Sequence, residues 1–292
     1  MKNRSKQTKR HWEINRVPLT NKLQQTAVSQ LRDTIKKSIE KERRSIQELH
    51  RHLFNAGAPI RKLLESDHKA LLAVKSLQKT ALKDHHRRIK AFKHADVGQI
   101  STRDFTFPST PGFSIIVPPY DVAWQTGAGF SDKTGSFEVI VGNDFSAAAV
   151  GVSISSPVRT LLRFAPEAPF SYAWSDVSFG APTTTTGGVG IVAFLPNNPR
   201  PVLEERCTLW NDTRGWVAGD YNNGSGASFV AAALPGDFLL LMEADVQYLV
   251  WTWCFGSGVM VTQGQYLSLT LSEIQGQIPF IALDPGPVPF VR

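Results

Sequence analysis

A chain of 292 residues, 42% of them hydrophobic, can bury a sizeable core as one large domain or two smaller ones. Its formal charge of +7 averages two opposed parts: residues 1–96 hold 24 Lys and Arg against 9 Asp and Glu, while residues 97–292 hold 8 against 16. Two cysteines exclude a disulfide scaffold, no apolar run reaches the ~18 residues of a membrane helix, and the charged start "MKNRSKQTKRHWEINR" lacks the apolar stretch of a secretion signal. A soluble protein, cytoplasmic or particle-associated, is expected.

Residues 1–20 read as a flexible basic arm that ends at Pro18. Such an arm neutralises phosphate without reading sequence. Lys2, Arg4, Lys6, Lys9 and Arg10 are therefore candidate contacts to nucleic acid or another polyanion.

From Asn21 to Phe54, Val28, Leu31, Ile35, Ile39, Ile46, Leu49 and Leu53 recur at steps of three, four and seven. That spacing predicts a helix with one apolar stripe, capped at Asn21. "NAGAP" (Asn55–Pro59) stops it, and a second helix of similar length is predicted from Ile60 to His94, with Leu64, Leu71, Leu72, Val74, Leu77, Ala81, Ile89 and Phe92 on its apolar side. The pair reads as an antiparallel helical hairpin over residues 21–97. Two helices alone bury little, so this region is expected to dock on another copy, in coiled-coil or bundle fashion, or on the second domain.

Arg87, Arg88, Lys90 and Lys93 crowd the end of the second helix. They suit either the negative end of the helix dipole or contact with a polyanion. All seven histidines precede residue 97, but His50/His52 and His85/His86 miss the i,i+4 spacing of a helical metal site and read as solvated polar positions.

Past Gly98 the pattern turns to β. About ten short apolar or alternating runs, among them "GSFEVIVG", "AAAVGVSIS", "VRTLLRFAP", "FSYAWSDVSF" and "YLVWTWCF", are separated by Gly, Pro, Asn and Asp clusters. They predict an antiparallel β-sandwich over residues 98–283, jelly-roll-like, followed by an extended proline-rich tail, 284–292. In "YLVWTWCF", Leu249, Trp251 and Trp253 fall on one face and Val250, Thr252 and Cys254 on the other; both faces are apolar, so the strand is central or covered. "TTTTGG" (Thr183–Gly188) reads as a loop, and "GDYNNGSG" (Gly219–Gly226) as a hairpin turn rather than a calcium loop. "VPPYDVAW" reads as a rigid corner that Tyr120 bridges by a hydrogen bond.

Trp210 and Trp216 flank a polar segment in "CTLWNDTRGW" and are candidates for stacking on a ligand. The histidine-free second part excludes local His-dependent triads and His-ligated metals. Cys207 and Cys254, with no local base for a thiol nucleophile, read as two buried thiols, with a single bridge between strands as the alternative. No catalytic residue, metal ligand or cofactor is assigned. The chain is expected to be a non-enzymatic structural or assembly protein, with two alternatives: a capsid-like coat protein whose arm contacts nucleic acid, or a carbohydrate- or surface-binding sandwich.

Overall fold

The computed structural model describes residues 13–92, 112–215, 218–228, 238–263 and 266–288. Helices α1 (Asn21–Ala56), α2 (Ala58–Ser66) and α3 (His68–Phe92) precede a body of antiparallel strands. One sheet runs β6 (Phe145–Ser155), β12 (Gln247–Met260), β8 (Thr183–Phe194), β9 (Leu203–Arg214), with β1 (Asn15–Arg16) and β3 (Val122–Thr126) both beside β6. The other runs β4 (Ala128–Ser131), β5 (Ser136–Val141), β14 (Tyr266–Gln277), β7 (Thr160–Phe179).

β7 organises the second sheet because it is long enough to serve two sets of neighbours. Its later half pairs with β14 and with β10 (Ala218–Ser228), and its earlier half with β15 (Phe280–Gly286) and β11 (Leu239–Met242). β2 (Ser114–Ile116) extends β15, and β13 (Thr262–Gln263) pairs with the start of β14. The main core lies between the sheets, where Val150, Val152, Ile191, Val250 and Cys254 meet Phe164, Phe170, Trp174 and Ile274. Neither cysteine is in a disulfide. Cys207 and Cys254 pair with Val189 from its two sides, so two inter-strand spacings, about 9.5 Å, separate them, too far for a bridge.

A second core covers the outside of the first sheet. Ala27, Leu31, Ile35 and Ile39 of α1 bury against Val192, Phe194, Leu249, Trp251, Trp253 and Phe255. The two apolar faces of "YLVWTWCF" are thus both used, one under α1 and one between the sheets. Of the two partners expected for the stripe, another copy or the second domain, it meets the sheet of the second domain. The cap is Thr20, whose Oγ1 accepts from the Leu23 N–H at 3.3 Å, one residue before the expected Asn21.

Nor does the second helical stretch run unbroken. Asp67 takes an extended backbone, and its carboxylate accepts from the N–H groups of Lys69 and Ala70 at 2.9 and 3.1 Å. It therefore caps a new helix and divides the stretch into α2 and α3. α3 lies against β7 and β14, so the helices reach both sheets.

The arm is shorter than the sequence suggested. Asn15 and Arg16 add a strand to the edge of β6, whose unpaired backbone groups are a template for it. Arg16 also donates to Asp121 at 2.7 Å and to the Pro119 carbonyl at 2.6 Å. At the other terminus, Asp284, Pro285 and Gly286 belong to β15 rather than to a tail.

Two segments written off as loop or turn are strands. Thr183–Gly188 is buried in β8. The β-branched threonines favour the extended chain, and their hydroxyls are satisfied: Thr185 Oγ1 accepts from the Trp210 indole at 3.1 Å, and Thr186 donates to the Trp210 carbonyl at 3.2 Å. Gly187 is required because a Cβ there would overlap the Trp210 ring. Gly219–Gly226 lies within β10, where Gly224 leaves room for the ring of Tyr172 directly opposite. At the Pro118–Pro119 corner, whose peptide bond is cis, Tyr120 donates not across the corner but to the Ile278 carbonyl between β14 and β15, at 2.9 Å.

Candidate functional site

From Lys37 onward α1 carries a row of exposed basic side chains that lies beside a cleft; the exposed lysines of α3 (Lys69, Lys75, Lys79 and Lys83) do not line that cleft. Lys37, Lys41, Arg44, Glu48 and Arg51 recur at steps of four and three and therefore share one face. All five are exposed. Arg44 reaches Glu40 only loosely, at 3.9 Å with its side chain 80% accessible, a contact worth little in water. Of the other two acids here, Glu42 is taken by Arg206 of β9 at 2.8 Å and Glu48 stands on the face itself.

Around the edge of this face, α1 and the ends of the first sheet enclose a cleft of about 380 Å³. Its walls include Arg43, Gln47, His50, Arg51, Phe54 and Asn143. Arg43 is fixed by the Gly258 carbonyl at 3.2 Å and by Asp144 at 3.5 Å. The Arg61 guanidinium carbon sits over the Phe54 ring, 3.5 Å from its centroid, a cation–π contact that holds the ring in place. Asn143 accepts from the Met260 N–H at 2.8 Å.

His50 corrects a sequence reading, for it is buried rather than solvated. Its Nε2 lies 2.8 Å from the Thr184 hydroxyl, which in turn lies 2.9 Å from the Thr213 hydroxyl. Nδ1 has no hydrogen-bond partner. Burial lowers the imidazole pKa from 6.5 to about 4, so His50 is neutral at physiological pH. Leu49, expected on the apolar stripe, is 45% exposed instead. The stripe has rotated by one position, and the signal that could have shown it is the His-Thr-Thr chain, which only the folded register creates.

A second polar cluster sits where the chain crosses between sheets. Arg214, at the end of β9, donates to both oxygens of Asp212 at 2.6 and 2.9 Å and also pairs with Asp220 of β10. Asp176 of β7 is fully buried beside them, with Arg214 Nε 3.8 Å away. Neither of its carboxylate oxygens has a hydrogen-bond partner. Desolvation, reinforced by neighbouring Asp212, raises its pKa to about 8, so it is a neutral acid at pH 7. Arg214 thereby ties the two sheets together. This is structural work, and no group of three or more His, Cys, Asp or Glu among the described residues could hold a metal ion.

The residues singled out by sequence fare unevenly. Lys2, Arg4, Lys6, Lys9, Arg10, Lys93 and Trp216 lie outside the described residues. Arg87 is exposed on α3 and pairs with Asp84 at 3.0 Å; Arg88 and Lys90 follow on the same helix. Trp210 requires a correction. Its ring is only 5% exposed, stacked on Tyr172 with centroids 5.2 Å apart, because the strand pleat turns it inward over Gly187. It fills the core and offers no face to a ligand. The α1 face and cleft went unnoticed in the sequence, where alternating Lys, Arg and Glu look like an ordinary wet helix surface.

Compared with known proteins, the chain matches no protein-family model and no curated sequence. No described helix is long and apolar enough to cross a membrane.

Proposed function

We propose that the chain is a self-assembling structural protein of the coat type, a jelly roll bound by its helices, whose basic amino-terminal part meets a polyanion. The observation that carries this reading is strand order. Among β5–β10, β12 and β14, the sheets are β5-β14-β7-β10 and β6-β12-β8-β9. Successive strands therefore alternate between sheets from β5 to β8, β9 folds back beside β8, β10 returns to the other sheet, and the chain closes by inserting β12 between β6 and β8 and β14 between β5 and β7. That is the winding expected of two interlocked Greek keys, the arrangement that recurs in shells and lectins.

Fold alone does not give function. Two further features favour assembly over a lectin role. Apolar side chains face water on the outside of the second sheet, where Ile115, Leu239 and Leu241 are 39, 44 and 42% exposed, and on the helices, where Leu63, Leu72 and Leu77 are 69, 53 and 55% exposed. Such surfaces suit contact between copies. The charge division of 24 against 9 before residue 97 and 8 against 16 after it also suits a protein that binds a polyanion on one side and its own copies on the other. In this reading the helices of residues 21–97 contribute to the contacts between copies, and the arm residues Lys2 to Arg10 neutralise phosphate.

The test is to purify the full chain in low and high salt and to measure particle mass together with the ratio of absorbance at 260 and 280 nm. Large particles carrying nucleic acid, released by strong salt, support the proposal. A monomer free of nucleic acid in both buffers refutes it.

A further inference from the structure

The reading above gives polyanion contact to the arm; the geometry points to a second and more specific site. We propose that the α1 face and its cleft bind single-stranded nucleic acid, with phosphodiesters on Lys37, Lys41, Arg44 and Arg51 and one base in the cleft beside Phe54. This rests on the polyanion part of that reading and deepens it.

The helix supplies the spacing. Positions three or four apart stand about one turn, ~5.4 Å, from each other, and Lys37 to Arg51 spans about 21 Å. Lys37, Lys41 and Arg44 stand at that interval and can track a flexible strand, and Arg51 follows two turns on, past Glu48. Lys37, Lys41 and Arg51 have no ion pair among the described residues, so binding breaks no intramolecular pair there. Arg51 borders both the outer face and the cleft, which joins the two into one path.

The cleft supplies selectivity for a base. Its volume of about 380 Å³ is at the lower end of small-molecule pockets. Gln47 and Asn55 bring amide groups that can donate to and accept from a base edge, and Phe54 an aromatic ring. His50 is neutral there, with Nδ1 lacking a partner. A base in a duplex could not enter, since its edge is paired and its faces stacked; a single strand can present one. An acidic peptide would use the lysines but not the cleft.

The experiment uses the full chain and a fluorescein-labelled 20-nucleotide single-stranded RNA, with binding read by anisotropy from 0.1 to 0.5 M salt. Each phosphate contact on a single strand contributes about 0.7 to the slope of log K against log salt. The triple variant Lys37→Gln/Lys41→Gln/Arg44→Gln should therefore lower the slope by about 2 and weaken binding about 100-fold at 0.1 M salt. Lys75→Gln/Lys79→Gln/Lys83→Gln, an equal charge change on exposed positions of α3, should change affinity less than threefold. Gln47→Ala should weaken RNA but not polyphosphate.

Three results would overturn the site: equal losses in the α1 and α3 triples, an unchanged α1 triple, or polyphosphate or polyglutamate of matched charge binding as tightly as RNA. If the α1 triple binds normally while neutralising Lys2, Arg4, Lys6, Lys9 and Arg10 abolishes binding, the inference fails and the broader reading stands. If the unmodified chain binds no RNA at any salt, both fail.

Discussion

Replacing Ile35 by alanine tests whether α1 is an integral layer of the protein. Ile35 is 2% exposed in the cluster that joins α1 to Trp251, Trp253 and Phe194. The change deletes three carbons, worth about 0.8 kcal/mol each in transfer from water, or about 2.4 kcal/mol together. The cavity left against rigid indole rings adds about 1 kcal/mol, for a total near 3–4 kcal/mol. Leu49→Ala on the same helix is the control: at 45% exposure it should cost less than about 0.5 kcal/mol. Urea denaturation of both variants, followed by tryptophan fluorescence, reads the difference directly, since Trp251 and Trp253 lie under the helix. If Ile35→Ala costs no more than Leu49→Ala, the helix is not docked on the sheet and the layered architecture is wrong.

Gly187→Ala should cost at least about 3 kcal/mol or abolish soluble expression, because a Cβ overlaps the Trp210 ring between paired strands; a soluble variant with unchanged melting temperature would contradict the β8–β9 packing. Asp176 holds its proton up to about pH 8 in the fold but only to 3.8 in the unfolded chain. The folded state therefore binds more protons in that window, and this group erodes stability as pH rises from about 4 to 8, by at most about 1.4 kcal/mol per unit. Asp176→Asn should gain on the parent steadily across that range in denaturation curves, and parallel curves would refute the assignment. His50 acts oppositely. Its lowered pKa means the unfolded chain takes up the proton first, so stability falls as pH drops from 6.5 towards 4, a component that His50→Gln should lack.

Periodicity carried the sequence reading wherever an element's own side chains decide its packing. The stripe of Leu31, Ile35 and Ile39 marked the buried side of α1, and the double-sided apolar pattern of Leu249 to Cys254 marked a strand covered on both faces. It failed where the neighbour decides. Thr183–Gly188 and Gly219–Gly226 have the composition of loops, yet their small residues are there to admit Trp210 and Tyr172 from adjacent strands, a relation invisible in one dimension. The same limit hid the cleft. Gln47, His50 and Phe54 lie on one helix, but Asn143 comes from the β5–β6 turn and Met260 from the end of β12, and they meet only in the fold. Trp210 looked like a platform because its flanks are polar; those flanks, Asp212 and Arg214, are the clamp at the sheet crossing.

The most direct test of the assembly proposal is the mass of the full-length particle in solution, measured by light scattering at micromolar concentration and 0.15 M salt. A self-assembling coat-type protein gives a discrete species many times the 32.2 kDa of one chain. A single species at 32.2 kDa, unchanged by concentration or added RNA, would contradict it.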